Sequence, residues 1–308
     1  MESIYDLIII GAGPAGLAAS IYASRYGINH MVIGRILGGQ ISETHNIDNY
    51  PGLEEVSGFE FSQKWSNHVK KYGAEILPHL VENIEQENDL FKLKIDNKRE
   101  VKAQTVLLAL GAKRRELGIE REMEFMGKGV SYCATCDGFF YKEKTVAVIG
   151  GADSAVSSAV YLSDICEKVY LIYRKSELRC ELFWTKKAKN NSKIEILYDT
   201  RPICVLGEKK VAGLAIENIP TMKTSDLELD GIFVEIGSIP NTDLAKKLGV
   251  ETDEGGYIKI NPDSSTNIPG IFAAGDATTG SDKFCQVITA ASEGAIATRS
   301  IFNWLKKN

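Results

Sequence analysis

The feature that most constrains this chain is a strand, glycine-turn, helix signature that occurs twice. Residues 4–10 (IYDLIII) read as a buried strand, Gly11-Ala12-Gly13-Pro14-Ala15-Gly16 as a tight turn, and Leu17 to Tyr26 as a helix. A second short strand follows from His30 to Ile33. G-x-G-x-x-G between a buried strand and a helix is a dinucleotide-binding fingerprint. Its glycines permit the turn and the close approach of a pyrophosphate, which rests on the helix N-terminus. The second copy starts with the strand Lys144 to Ile149 and turns through Gly150-Gly151-Ala152-Asp153-Ser154-Ala155. It continues as a helix to Asp164 and a strand from Val169 to Tyr173. The interval from Gly11 to Gly34 equals that from Gly150 to Tyr173, so one nucleotide-binding unit is repeated.

The residues after each second strand distinguish the two ligands. In the first unit that strand leads into Gly34-Arg35-Ile36-Leu37-Gly38-Gly39-Gln40, with no acid to hold a ribose diol. In the second unit it leads into Arg174, Lys175 and Arg179, which suit a ribose 2′-phosphate and hence NADP over NAD. A solvated, charged strand end is the competing reading. Two more glycine signals close apolar strands: Val106 to Leu110 before Gly111-Ala112, and Ile271 to Ala274 before Gly275-Asp276-Ala277. Such ends deliver amides and a carboxylate to the crevice of an open α/β sheet. Asp276 suits a ribityl or ribose hydroxyl; capping a helix from Ser281 onward is its alternative role.

At roughly 150 residues per domain, 308 residues make about two domains. A net charge of −5 argues against a broad nucleic-acid footprint. No stretch approaches the ~20 apolar residues of a membrane span, and no basic leader precedes the first strand. Six cysteines are too few for a disulfide scaffold, so a cytoplasmic, reducing setting is expected.

In that setting the close pair Cys133-Ala134-Thr135-Cys136 is the chemically informative element. A zinc ribbon needs a second such pair, and His30, His45, His68 and His79 all precede this one without finger spacing, so no metal is expected. Redox exchange remains, because two intervening residues let the thiols close a small reversible ring. Asp137 follows directly, suited to shuttling a proton or to capping a helix. Cys166, Cys180, Cys204 and Cys285 read as isolated small hydrophobes.

Taken together these motifs resemble low-molecular-weight thioredoxin reductase, over nearly the whole chain. The resemblance rests on Gly11 to Gly16, Gly38-Gly39-Gln40, Asn49-Tyr50-Pro51-Gly52, Ser131-Tyr132-Cys133-Ala134-Thr135-Cys136-Asp137-Gly138, and Gly275-Asp276 with Gln286-Val287. It implies an α/β fold of two Rossmann-like three-layer domains, the second inserted into the first. An FAD-binding domain is expected over 1–112 and 243–308, and an NAD(P)H-binding domain carrying the cysteine pair over 113–242. FAD is expected at Gly11, Gly13, Pro14, Ala15, Gly16, Gly38, Gly39, Gln40, Asn49, Gly111, Gly275, Asp276, Gln286 and Val287. NADPH is expected at Gly151, Ala152, Asp153, Ser154, Arg174, Lys175 and Arg179.

The resemblance further implies that Cys136 lies against the flavin, that Cys133 attacks the disulfide of thioredoxin, that Asp137 is the acid/base, and that the protein is a homodimer. This chain departs from the family pattern at Ala152, at Ser157-Ser158, at Tyr173 and at Cys285. All four lie in or near the expected nicotinamide side. Two other readings share the fold, the FAD and the cysteine pair: a reductase fed by another donor such as reduced ferredoxin, and an oxidase passing electrons from a dithiol to oxygen.

Overall fold

Leu7, Ile8, Ile9 and Ile10 are each no more than 6% exposed, so the first strand is buried on both faces. That is the environment in which a strand reads as an unbroken apolar run. In the computed structural model, which describes residues 4–44, 47–96 and 99–307, it forms β1 (Ile4–Ile10). His45 and the first three residues lie outside the described residues.

Along the chain β1 is followed by α1 (Pro14–Arg25), β2 (His30–Ile33), α2 (Gly58–Lys71), β3 (Glu75–Leu77), β4 (Val81–Glu87), β5 (Leu90–Ile95), β6 (Glu100–Leu108) and β7 (Ala112–Arg114). Next come β8 (Val130–Ser131), α3 (Ala134–Asp137), β9 (Thr145–Ile149), α4 (Asp153–Ser163), β10 (Lys168–Ile172) and α5 (Leu182–Lys189). Five strands follow: β11 (Ile194–Leu197), β12 (Thr200–Gly207), β13 (Val211–Asn218), β14 (Lys223–Glu228) and β15 (Gly231–Val234). After them come β16 (Ser238–Pro240), α6 (Asp243–Lys247), β17 (Ile271–Ala273) and α7 (Val287–Leu305). The chain divides into two units. Residues 1–113 and 239–308 form unit 1, and the continuous stretch 114–238 forms unit 2.

Unit 1 is built on the sheet β3-β2-β1-β6-β5-β4, in which β6 divides its partners. Its first half pairs antiparallel with β5, and Val106 to Leu108 pair parallel with β17. A side-chain period of two along β1 then makes two cores. Leu7 and Ile9 join Ala15, Ala19 and Ala23 of α1 and Ala290, Ala297 and Ile301 of α7. Ile8 and Ile10 join Val81, Ile84, Phe91 and Leu93 of the β4–β5 hairpin. Helices, parallel sheet and hairpin therefore form three layers.

Unit 2 repeats this plan with the parallel sheet β11-β10-β9-β15-β8. Val146 and Val148 face Ala155, Val156, Ala159 and Leu162 of α4. Ala147 and Ile149 face Val205, Val211 and Leu214 of the antiparallel sheet β12-β13-β14. Both units are Rossmann-like α/β folds. None of their described helices is long and apolar enough to cross a membrane.

One boundary differs from the sequence expectation. The last helix begins at Val287 rather than at Ser281, because Ser281 and Asp282 hold left-handed backbone at φ +47° and +52°. Gln286 is the N-cap of α7, in a reciprocal capping box with Thr289.

The small residues of α1 and α7 let their backbones touch. A Cβ on Gly294 would lie 2.1 Å from the Ala15 carbonyl oxygen, and the Thr298 hydroxyl donates to the Ala19 carbonyl at 3.2 Å. Gly294→Ala should therefore destabilise the protein by about 1–3 kcal/mol through overpacking. Thermal melts against the parent protein measure this, and an unchanged midpoint would refute it.

Candidate active site

In unit 1, three of the expected flavin-binding glycines do different work. Gly11 (φ +118°) has no room for a side chain, since a Cβ would lie 2.0 Å from the Ala109 carbonyl oxygen. Gly16 is equally closed, 1.9 Å from the Gly11 carbonyl oxygen. At Gly13 the nearest protein atom to a Cβ, the Gly38 carbonyl oxygen, is 3.8 Å away. Gly13 is the N-cap of α1, and no side chain caps its orphan amides. A helix start of this kind is an anion site, and the missing side chain keeps the space before it clear. Gly38 donates its amide to the Ala12 carbonyl at 2.8 Å, and a Cβ on Gly39 would lie 3.2 Å from Gly13 Cα, so this pair borders the same turn. Pro14 and Ala15 form the first residues of α1.

Other expected residues are tied to this edge of unit 1. Gln40 donates to the Ala112 carbonyl at 2.7 Å, beside Gly111, which adopts φ +62°. Asn49 donates to the Gln286 side-chain oxygen at 2.9 Å, and Val287 packs on the Ile47, Val56 and Phe61 cluster. Asp276 follows the Gly275 turn at the end of β17. It is not the cap of α7, since Gln286 is. Burial, and next the neighbouring Glu293 carboxylate, push the Asp276 carboxyl up to about 6. A half-buried carboxyl held this way suits a polar ligand group that replaces lost water. These features fit a dinucleotide whose pyrophosphate meets α1 and whose hydroxyls meet Asp276.

The buried Glu293 was not singled out from the sequence, because an acid within a helical pattern carries no motif. It accepts from the Gly275 amide at 2.8 Å, the Thr278 hydroxyl at 3.1 Å and the Ser281 hydroxyl at 2.6 Å, and so organises the loop carrying Asp276.

In unit 2 the cysteine pair is a disulfide, Cys133–Cys136, with Cα atoms 5.3 Å apart. Ser131 shapes the approach to it: the Cys133 amide donates to the Ser131 hydroxyl at 3.0 Å. Cys133 is the N-cap of α3, and its sulfur accepts from the Cys136 amide at 3.1 Å. An amide aimed at sulfur at a helix start favours the thiolate once the bond is reduced. Cys136 is exposed and Cys133 half-buried. Asp137 is the last residue of α3 and donates its amide to the Cys133 carbonyl at 3.2 Å; its side chain caps no helix. Tyr132 donates to the buried Glu122, which also accepts from the Leu117 and Gly118 amides at 2.8 and 2.7 Å. Burial and this carboxylate push the Tyr132 phenol upward. Glu122 is a second carboxylate that sequence reasoning missed.

Cys166, Cys180, Cys204 and Cys285 are free thiols. Burial pushes the Cys166 thiol up to about 11. Desolvation, then Asp276 and Glu293, push Cys285 equally far, so both remain protonated at neutral pH.

The second glycine turn lies at the carboxyl end of β9. Gly150 (φ +144°) is required by the Glu235 carbonyl oxygen, 2.2 Å from a Cβ, and Gly151 by the Tyr173 ring, 2.4 Å away. Ala152, the N-cap of α4, has extended backbone at φ −97° and needs no glycine. Arg179 donates its amide to the Gly151 carbonyl at 2.7 Å, and Asp153 accepts from the Glu181 amide at 2.8 Å. These contacts bring Arg179 back to the turn. Ser154 is exposed in the first turn of α4, and Arg174 and Lys175 are exposed beyond β10. The group fits a phosphorylated dinucleotide: open amides for a pyrophosphate, and cations beyond the adjacent strand for a further phosphate.

The raised Asp276 carboxyl makes stability depend on pH. Between 3.8 and about 6 the folded chain holds a proton that the unfolded chain releases. That contribution is complete at lower pH and is lost as pH rises through this window. Asp276→Asn should abolish the fall, worth up to about 3 kcal/mol. Urea melts of flavin-free protein from acid to neutral pH check it; an identical fall in the variant would contradict the assignment.

Residues 5–294 match the family model described as pyridine nucleotide-disulphide oxidoreductase. The chain is 38% identical over 308 residues to thioredoxin reductase of Bacillus subtilis (strain 168), covering 99% of this chain and 96% of that one. It is 40% identical over 309 residues to thioredoxin reductase of Helicobacter pylori (strain J99), covering 98% and 99%. The crystal structure of Lactococcus lactis thioredoxin reductase matches with a TM-score of 0.95 at 35% identity, over 99% of this chain and 100% of that one. With two nucleotide folds, a Cys-x-x-Cys disulfide and these full-length relatives, the chain belongs to the pyridine nucleotide-disulphide oxidoreductase family.

Proposed function

We propose that the protein is an FAD-dependent thioredoxin-disulfide reductase, moving two electrons from NADPH to the Cys133–Cys136 disulfide and on to thioredoxin. The observation that carries this reading is that disulfide, seated at a helix start in one nucleotide-binding unit of a chain that has two. Support comes also from relatives named thioredoxin reductase at 38% and 40% identity. Bound FAD supplies the two-electron chemistry between nicotinamide and disulfide.

In unit 1 the start of α1, with Gly11, Gly13, Pro14, Ala15 and Gly16, takes the FAD pyrophosphate, and Asp276 takes a hydroxyl of its sugar chain. Gly38, Gly39, Gln40, Asn49, Gly111, Gly275, Gln286 and Val287 surround the remainder. In unit 2 the turn Gly151, Ala152, Asp153 and Ser154 takes the NADPH pyrophosphate. Arg174, Lys175 and Arg179 hold its 2′-phosphate.

Two electrons break the S–S bond and leave two sulfurs sharing protons, with Asp137 as the nearby donor and acceptor. Cys136 is the sulfur that receives electrons, and Cys133 the one that meets protein substrate. The Cys133 thiolate attacks one sulfur of the thioredoxin disulfide and expels the other. Cys136 then attacks the mixed disulfide, which releases reduced thioredoxin and restores Cys133–Cys136. The reading includes a homodimer, supported by the exposed Tyr22, Phe59, Ile288 and Ile296 of unit 1, and a cytoplasmic location where thiols stay reduced.

Anaerobic mixing tests the proposal. NADPH should bleach the flavin, and added thioredoxin should restore its colour with one dithiol formed per NADPH. Bleaching by reduced ferredoxin alone would overturn the donor, and reoxidation by oxygen but not thioredoxin would overturn the acceptor. Cys133→Ser should keep the bound flavin and its bleaching while losing thioredoxin turnover by roughly 10³-fold or more. Joint replacement Arg174→Ala and Lys175→Ala should raise KM for NADPH by roughly 10–100-fold with little change in kcat. The same variant should leave NADH turnover unaltered, which steady-state kinetics with both nucleotides can check.

A further inference from the structure

Glu235 leaves the carboxyl end of β15 at a distinctive place in unit 2. In the sheet order β11-β10-β9-β15-β8 the chain runs outward from β9 through β10 to β11, while β15 and β8 lie on the other side. The ends of β9 and β15 therefore flank a switch point, and open α/β sheets bind ligands in that crevice. The glycine turn leaves β9 on one lip, and Glu235 leaves β15 on the other. The two lips touch: the Glu235 amide donates to the Ile149 carbonyl at 2.9 Å, and its own carbonyl closes on Gly150.

The side chain is fixed. Its Oε1 accepts from the Ser158 hydroxyl of α4 at 3.2 Å and pairs with an Arg114 guanidinium nitrogen at 3.5 Å. It is 12% exposed, so it stands mostly out of water beside the helix whose start faces the turn. Neither the glycine fingerprint nor the basic trio accounts for it.

Direction follows from the cations. Arg174 and Lys175 lie beyond β10, on one side of β9. A dinucleotide whose 2′-phosphorylated adenosine lies on that side, with its pyrophosphate at the turn, sends its other nucleoside toward β15. That nucleoside carries ribose hydroxyls and a carboxamide N–H₂, and a carboxylate only accepts hydrogen bonds.

We propose that Glu235 recognises the nicotinamide-riboside half of the dinucleotide, accepting hydrogen bonds from its ribose hydroxyl or carboxamide donors and setting how that half lies. The proposal rests on the reading that unit 2 takes NADPH.

Calorimetric titration of the whole flavoprotein with NADP⁺, which binds without reducing the flavin, and with 2′,5′-ADP, which carries only the adenosine half, tests it. Glu235→Ala should weaken NADP⁺ binding by roughly 10–100-fold, as for loss of a hydrogen bond to a charged group. Its affinity for 2′,5′-ADP should stay within about twofold, a change too small to reflect a lost contact. Glu235→Gln keeps the shape and one acceptor oxygen, so it should fold as the parent does and show a smaller loss confined to NADP⁺. Equal NADP⁺ affinity in parent and both variants would overturn the proposal. So would a parallel loss for both ligands, which marks a purely structural role. A parent protein that binds 2′,5′-ADP but not NADP⁺ would overturn the NADPH reading itself, and this proposal with it. Titration with the 3-acetylpyridine analogue of NADP, which lacks the carboxamide N–H₂, separates the two donors. A loss that persists in the variants assigns the ribose, and one that vanishes assigns the carboxamide.

Discussion

Backbone packed directly on backbone is the constraint on which the rest of unit 1 depends. Side chains at Gly11, Gly16 and Gly294 would lie 1.9 to 2.1 Å from carbonyl oxygens of Ala109, Gly11 and Ala15. Their absence lets β1, the turn, α1 and α7 meet at distances no larger residue allows. The same closeness puts the uncapped start of α1 at the carboxyl end of β1, an interior strand of the sheet. Unit 2 repeats the arrangement at Gly150 and Gly151, closed by the Glu235 carbonyl and the Tyr173 ring. Stability and anion binding are thus served by one piece of geometry.

Around each of these edges a carboxylate does the organising. Glu293 gathers an amide and two hydroxyls of the loop that carries Asp276. Glu122 gathers two amides and the phenol of Tyr132, next to the redox pair. Glu235 joins α4 to Arg114 at the second crevice. A buried carboxylate is costly unless donors surround it, and once surrounded it holds a loop in one arrangement. Well-fixed loops are needed in a relay between two nucleotides and a disulfide, since each transfer depends on position.

The glycine turns were legible in the sequence because they are local: a buried apolar run, small residues at set intervals and a helix succeed one another without long-range help. Cys133 and Cys136 were legible for the same reason, being three residues apart. The start of α7 was not, since the left-handed Ser281 and Asp282 break a stretch that otherwise looks helical. The hairpin and the β12-β13-β14 sheet, which supply the third layer of each unit, carry no motif either. Their apolar residues matter only where they close over the parallel sheet.

By itself, then, the sequence determined that this chain makes two nucleotide folds and one dithiol, because those depend on neighbours along the chain. Only the tertiary structure decided which acids serve them. Glu293, Glu122 and Glu235 lie 18, 5 and 77 residues from bonded partners Gly275, Leu117 and Ser158. A carboxylate acquires its role from the donors that folding brings around it, and in the last of these cases nothing in the spacing announces them.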